Sequence, residues 1–357
     1  MNSAESTKLS QPNDAGRVCA VIPTRNRVQS LQRLLRSLST QTRAPDEVIV
    51  VDASNVTAPG LRLSEQFPSL SLRVIPSHPS LSHQRNQGIA LACAEFILLA
   101  DDDIEFPPAY IDVLLRYLKE NPDDGAVSGT LHEPADGKEF VPDHRAISSA
   151  GLLWAYVFQT SVWGDISPIE LRKNFGILIR PLLAHYRRLA NTHTMAGWPV
   201  LTETTGPVFR TAVYGLGGAL IRRQWLRDSP FDEALEEHGI GDNFGVALGF
   251  PRDAPICVLT SINYLHHRDP SNRLAPAAVL SKRIDALDYF LKSSPRFTLR
   301  NRAMLRWSIL GLLLYHLWKG SPSTAWASAA SLGRLITGRN PLTTRRARRK
   351  HAIAPAD

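Results

Sequence analysis

The chain has 357 residues, 43% hydrophobic and 21% charged, with a formal net charge of +8. That balance excludes a largely disordered chain, and the length suits one large domain or two fused units with a substantial core. Cys19, Cys93 and Cys257 are widely spaced and form no CxxC pair, so neither a disulfide framework nor a cysteine zinc site is indicated, and a reducing compartment is the simplest reading.

Residues 1–16 contain no apolar run of the kind that opens a secretory signal, so a flexible arm and a cytoplasmic start are expected. In RVCAVIPTRNR a β-branched apolar run stops at Pro23, which predicts a buried parallel strand running into a loop. VQSLQRLLRSLSTQT then places Leu31, Leu34, Leu35 and Leu38 at helical spacing. DEVIVVDAS predicts a second strand ending in Asp52, LSLRVIP a third, and SHQRNQGIALAC a helix before the fourth strand, EFILLADDD. A helix over AYIDVLLRYLKENP and a fifth strand over GAVSGTL follow. Residues 131–200 are apolar and aromatic without a clean period; VYGLGGALIRRQWL returns to strand and helix, and FDEALEEHGIGDNFGVALGF reads as a loop leading into a helix.

Repeated strand, helix and strand imply an α/β fold with a mostly parallel, Rossmann-like sheet flanked by helices and joined by right-handed crossovers. Ligands of such sheets bind outside the carboxyl ends of the strands. Pro23 to Arg27, Asp52 and the triplet Asp101, Asp102 and Asp103 fall at those ends, so they are expected to meet on one edge.

Adjacent carboxylates repel, and the triplet needs either solvent or a compensating cation. An exposed acidic turn is one reading. The other is a hard divalent ion, Mg2+ or Mn2+, which takes one or two carboxylates and completes its shell with phosphate oxygens and water. The polar loop IPTRNR, Asp52 as an acceptor for a base or ribose, Arg85 as a phosphate partner and its neighbour Asn86 supply the rest of a ligand crevice.

In their order, VIPTRNR, VIVVDAS, HQRNQGI, FILLADDDI, GLGGALIRR and FDEALEEHGIGDN resemble the inverting nucleotide-sugar glycosyltransferases of family 2, over roughly residues 17–270. The resemblance implies a GT-A fold, with a nucleotide-sugar half over 17–130 and an acceptor half over 131–270. It implies that Pro23, Thr24 and Arg25 line the nucleotide pocket, Asp52 reads the base, Asp101 approaches the ribose, and Arg85 faces the diphosphate or ribose. Asp103 would hold the metal, with Asp102 supporting both neighbours. The family's catalytic base stands in an acidic pair after an FDE segment, and Asp242 matches best, with Glu237 in reserve. Here Gly241 and Asn243 flank Asp242 where the family shows an acidic pair, and a plain helix N-cap is the alternative role. Gly217, Gly218 and Ala219 resemble the small-residue segment that lets substrates approach the backbone; a bulge or tight strand reads the same way. Of the neighbours His266 and His267, the family's H-x-R pattern favours His267 as a metal ligand.

MLRWSILGLLLYHLW, residues 304–318, is apolar nearly all round but too short to span a bilayer, for which about 20 residues are needed. With Arg302, Arg306 and Lys319 flanking it and Trp307, Tyr315 and Trp318 within it, it suits a helix lying in the headgroup layer; a buried core helix is the alternative. AWASAASLGRLI is a second, weaker one, so residues 271–340 are expected to form a helical region that associates with the membrane. Residues 341–357, with TTRRARRKH, are expected to be a basic tail attracted to anionic lipid. A peripheral place on the cytoplasmic face and a glycan or lipid-linked acceptor follow as expectations. No nucleic-acid module is recognisable, and no glycine-rich loop with a lysine points to a nucleotidyltransferase. A non-catalytic relative that binds sugar nucleotides or membrane is the remaining alternative, suggested by the altered acidic pair at Asp242.

Overall fold

The computed structural model describes residues 16–55, 62–135, 139–142, 147–166, 169, 176–228, 230–235, 238–271 and 273–353. Four of the apolar runs form the parallel half of a large sheet: β1 (Val18–Thr24), β2 (Glu47–Asp52), β3 (Leu72–Pro76) and β4 (Phe96–Leu99). β1 lies between β2 and β4, parallel to both, and β3 extends the row as the edge strand. Every residue of β1 and β4 is buried, because helices cover both faces, and this is why neither run alternates. Val18, Ala20 and Ile22 of β1 pack with Leu31, Leu34, Leu35 and Leu38 of α1 (Val28–Ser39), while Cys19 and Val21 point the other way, into a cluster with Ile89 of α3 (Leu81–Leu91). α2 (Leu63–Gln66) and α4 (Tyr110–Glu120) complete the helices around this half.

Beyond β4 the sheet becomes mixed. Its order is β10-β12-β6-β11-β4-β1-β2-β3, where β6 is Ala126–Ala135, β10 Val208–Thr211, β11 Ala219–Arg222 and β12 Ile256–His266. β11 is antiparallel to both β4 and β6, and β12 is parallel to β6, so the parallel pattern expected from the sequence stops at β4. β5 (Ile104–Glu105) pairs with the end of β12, and β7 (Glu139–Pro142) with β6. One continuous sheet therefore runs through the two expected halves. The segment 131–200 supplies α5 (Ser149–Phe158), α6 (Gly176–Leu189) and a small parallel pair of strands, β8 (Val162–Trp163) and β9 (Val200–Leu201). After β11 come α7 (Arg223–Asp228) and α8 (Asp242–Gly249).

The C-terminal region is helical: α9 (Pro276–Ser293), α10 (Leu299–Trp318), α11 (Pro322–Thr337) and α12 (Pro341–Ile353). α10 begins earlier than its apolar run because Thr298 and Asn301 form a capping box, with the Thr298 amide donating to Asn301 Oδ1 at 2.8 Å. One stripe of α10, including Leu305, Ile309 and Gly311, is buried, whereas Leu317 and Trp318 are 60% and 75% exposed, so the helix is neither wholly core nor wholly surface. No helix among the described residues is long and apolar enough to cross a membrane. The basic tail is helical as far as Ile353 and is anchored at its start: Asn340 donates to the Asp285 carbonyl and Asp288 carboxylate, both at 2.8 Å, and accepts from the Leu342 amide at 2.9 Å. Residues 1–15 of the expected arm and 354–357 of the tail lie outside the described residues.

Candidate active site

After β4 the chain turns through the three aspartates into β5, which pairs with Leu265 and His266 at the end of β12. That pairing carries the triplet from one strand end to another, and each carboxylate meets a different partner. Asp102 is buried, accepts the Thr24 hydroxyl at 2.8 Å and is paired with Arg27 at 3.0 Å, so it fixes the loop after β1. Burial pushes its carboxyl up to about 7, with Asp103 adding and Arg27 opposing. Asp103 accepts from the Asp269 amide at 3.0 Å and Arg273 at 3.1 Å, and its other oxygen lies 3.3 Å from His266 Nε2. Burial alone would raise Asp103, but His266, Arg27 and Arg273 bring it down to about 2. His266 also meets Glu133 at 3.0 Å; burial opposes its charge, and the two carboxylates prevail and lift it to about 9.

Asp101 is the more open member, its side chain 38% exposed, and it accepts from Arg85 Nη2 at 2.6 Å. Its amide donates to the Gly217 carbonyl at 3.1 Å. A Cβ on residue 217 would stand 2.2 Å from Asp101 Oδ2, and one on Gly218 would stand 2.6 Å from the Tyr264 ring. The small-residue segment thus makes room for a carboxylate and a tyrosine of the protein itself.

A cavity of about 430 Å3 opens here, walled by Pro23, Thr24 and Arg25 on one side and Asp101, Asp102 and Asp103 on the other. The strand ends converge as the sequence predicts. Asp52 stands beside Thr24 in register and accepts the Ser54 amide at 2.9 Å, but it is not among the residues lining this cavity. Gln84, which the sequence reading passed over, ties the ends of β1 and β2 by donating to the carbonyls of Thr24 at 3.0 Å and Val51 at 2.8 Å.

Three residues given site roles from the sequence have other partners in the structure. Asn86 exchanges hydrogen bonds with the Phe231 backbone, donating at 2.8 Å and accepting at 3.0 Å, so it holds the loop leading toward Asp242 and has no amide turned to a nucleotide. His267 meets Glu105 at 2.8 Å, and His266 is the histidine that reaches Asp103. Side chains of consecutive residues leave an extended chain on opposite sides, so only one of the pair can face the triplet. Arg85, expected on the diphosphate, is 2% exposed and bridges Asp101 and Asp242.

Asp242 opens α8 and lines a second cavity, of about 460 Å3, whose walls include Trp163, Trp198, Tyr214 and Phe290. It is the first helical residue, not the cap. The cap position is Gly241 at φ 96°, where a Cβ would stand 2.6 Å from Ala286 Cβ on α9. A second acidic side chain has no room there, which accounts for the departure from an acidic pair. Burial lifts the Asp242 carboxyl to about 6; Arg85 pulls it down and Asp101 pushes it up. Glu237 lies outside the described residues.

Among the described residues no three acidic, histidine or cysteine side chains converge as a ready cage for a metal ion. Asp103 Oδ1 and His266 Nε2, 3.3 Å apart, are close enough to share one ion once the imidazole gives up the proton that its two carboxylate neighbours favour, and a hard divalent cation needs no more than one or two protein ligands when phosphate and water complete its shell.

Residues 19–183 match the family model described as Glycosyl transferase family 2. That segment, a little under half of the chain, is similar to glycosyl transferase family 2. The uncharacterized glycosyltransferase YwdF of Bacillus subtilis (strain 168) is 35% identical over 106 residues, covering 29% of this chain and 38% of that protein. An uncharacterized glycosyltransferase of Haemophilus influenzae is 29% identical over 102 residues, 29% of this chain and 34% of that protein, so the chain spans little more than a third of these two relatives. An N-acetylglucosaminyl-diphospho-decaprenol L-rhamnosyltransferase of Mycobacterium tuberculosis (strain H37Rv) is 24% identical over 298 residues, 79% of this chain and 86% of the relative. The crystal structure of GalNAc-T7 with UDP, GalNAc and Mn2+ superposes with a TM-score of 0.54 at 14% identity, over 91% of this chain and 58% of that one. The large central sheet flanked by helices is thus similar to that of GT-A glycosyltransferases.

Of the site residues, Glu133, Asp269 and Arg273 went unremarked in the sequence. The signal available was the charged run HHRDPSNR after β12, in which Asp269 and Arg273 close on Asp103.

Proposed function

We propose that the protein transfers a sugar from a nucleotide-diphosphate donor to an acceptor hydroxyl with inversion at the anomeric carbon. The observation that carries this reading is the bridge made by Arg85. One guanidinium holds Asp101, in the wall of the first cavity, and Asp242, in the wall of the second. A donor lying against Pro23, Thr24, Arg25 and the triplet would place its sugar toward the second cavity. There Asp242 takes the proton from the acceptor hydroxyl as its oxygen bonds to the anomeric carbon, and the bond to the diphosphate breaks with the electron pair leaving on phosphate. A carboxylate near 6 is ionised at neutral pH yet basic enough to accept that proton. Asp103 and His266 would hold Mg2+ or Mn2+, which when bound neutralises charge on the departing diphosphate.

The acceptor side is aromatic, which suits a sugar ring, and the C-terminal helices suit a membrane-presented acceptor. Trp318 and Trp326 are 75% and 76% exposed, Ile336 is 66% exposed, and Lys319 stands 4.9 Å from the Trp318 ring. Indole rings beside cations favour the headgroup layer, and each basic residue near an anionic surface adds about 1 kcal/mol. A peripheral position on the cytoplasmic face and a lipid-linked glycan as acceptor follow from this reading, and the mycobacterial relative named for a diphospho-decaprenol substrate supports it.

The test is a calorimetric titration with nucleoside diphosphates and their sugars, with and without Mn2+. Metal-dependent binding of one nucleotide, lost in Asp103→Ala, is expected; absence of binding to every member by the folded protein would refute the reading.

A further inference from the structure

The two cavities share one cationic side chain that has no committed partner among the described residues. Arg283, on α9, lines both the cavity under the aspartate triplet and the aromatic cavity that holds Asp242. The neighbouring arginines are engaged: Arg27 with Asp102 at 3.0 Å, Arg273 with Asp103 at 3.1 Å, Arg85 with Asp101 at 2.6 Å, and Arg268 with Glu133. Arg283 has no hydrogen-bond or ionic partner among the described residues. Its side chain is exposed within the crevice, yet enough protein surrounds it that desolvation lowers its pKa, and no carboxylate among the described residues offsets the effect.

A cation that faces two open cavities and has no counter-charge among the described residues is available to an anionic ligand. The helix that presents it is rigid: the next residues, Ile284, Ala286 and Leu287, are at most 5% exposed, so the guanidinium is aimed from a packed surface. A planar fork of donors matches the oxygens of a phosphate and grips two of them at once.

We infer that Arg283 is a phosphate-binding residue common to the two cavities, engaging either the diphosphate of the donor or a phosphate carried by the acceptor. The two sources rest on the glycosyl-transfer reading; the phosphate site itself does not.

The test is calorimetry on the full chain with inorganic pyrophosphate, comparing the parent, Arg283→Gln and Arg283→Lys, with circular dichroism as a control for folding. The parent should bind, Arg283→Gln should bind about tenfold or more weakly, and Arg283→Lys should fall between them because it keeps the charge and loses the fork. Repeating the titration at saturating UDP, GDP, ADP or dTDP, whichever binds tightest, separates the sources. Exclusion of pyrophosphate by the nucleotide assigns Arg283 to the donor; continued binding that still depends on Arg283 assigns it to the acceptor's phosphate. Equal binding by the parent and Arg283→Gln, or no binding by the parent, overturns the inference. If that happens in a protein that binds a nucleotide sugar and transfers it, only this inference falls. Arg283-dependent pyrophosphate binding without affinity for any nucleoside diphosphate would instead sink the glycosyl-transfer reading and leave the site standing.

Discussion

Replacing Arg85 with glutamine removes the cation that tunes the candidate base. In the parent protein burial raises the Asp242 carboxyl to about 6 against the pull of Arg85, while Asp101, on the same guanidinium, pushes it further up. A cation within contact distance lowers a carboxylate pKa by roughly 1–3 units, so its loss should carry Asp242 to roughly 7–9, at about 1.4 kcal/mol per unit. The ionised form is the base, so activity is lost as pH falls through the folded pKa. The parent should therefore fall off below about 6, and Arg85→Gln should fall off one or more units higher. At pH 7 a base near 8 is about one-tenth ionised, a loss of about tenfold that returns near pH 9. The assay is the pH profile of kcat/KM for nucleotide release, from pH 5 to 10. Breaking a buried pair costs about 3–5 kcal/mol of stability, so Arg85→Lys, which keeps the charge, serves as the folded comparison, and thermal unfolding is followed for both. An acid limb that stays near 6 in folded Arg85→Gln would refute the reasoning.

His266→Ala should reduce Mn2+-stimulated donor binding about tenfold or more, whereas His267→Ala, whose imidazole meets Glu105 rather than Asp103, should change it less than twofold; metal titration by calorimetry decides, and equal effects would return the role to either histidine. Gly217→Ala should lower transfer far more than it lowers the melting temperature, because the new methyl meets the Asp101 carboxylate and displaces it; parent-like kinetics would show that Asp101 need not stay where it is. Trp318→Glu with Trp326→Glu should reduce co-sedimentation with anionic phosphatidylglycerol vesicles about tenfold, and unchanged sedimentation would contradict the interfacial reading of the C-terminal helices.

The parallel half of the sheet was readable because β1, β2 and β4 are buried on both faces and their β-branched runs advertise it. The triplet was readable as chemistry because three adjacent carboxylates need compensation wherever they stand. What the sequence could not convey was pairing between distant segments. The choice between His266 and His267 depends on the register of β12 against β5, and the role of Asn86 depends on a loop 145 residues further along the chain. Gly241 read as a missing acid until its positive φ and the closeness of Ala286 appeared. Arg283 in the sequence is one more basic residue on a helix; only the docking of α9 between the two cavities separates it from a solvated surface arginine.

The most direct test of the central claim is the transfer rate of Asp242→Asn measured alongside its donor affinity. The substitution keeps the size of the side chain and removes its capacity to take a proton. The account predicts donor binding within about twofold of the parent and a transfer rate lower by about 100-fold or more. Transfer at the parent rate would show that Asp242 is not the base and would detach the second cavity from the chemistry assigned to it.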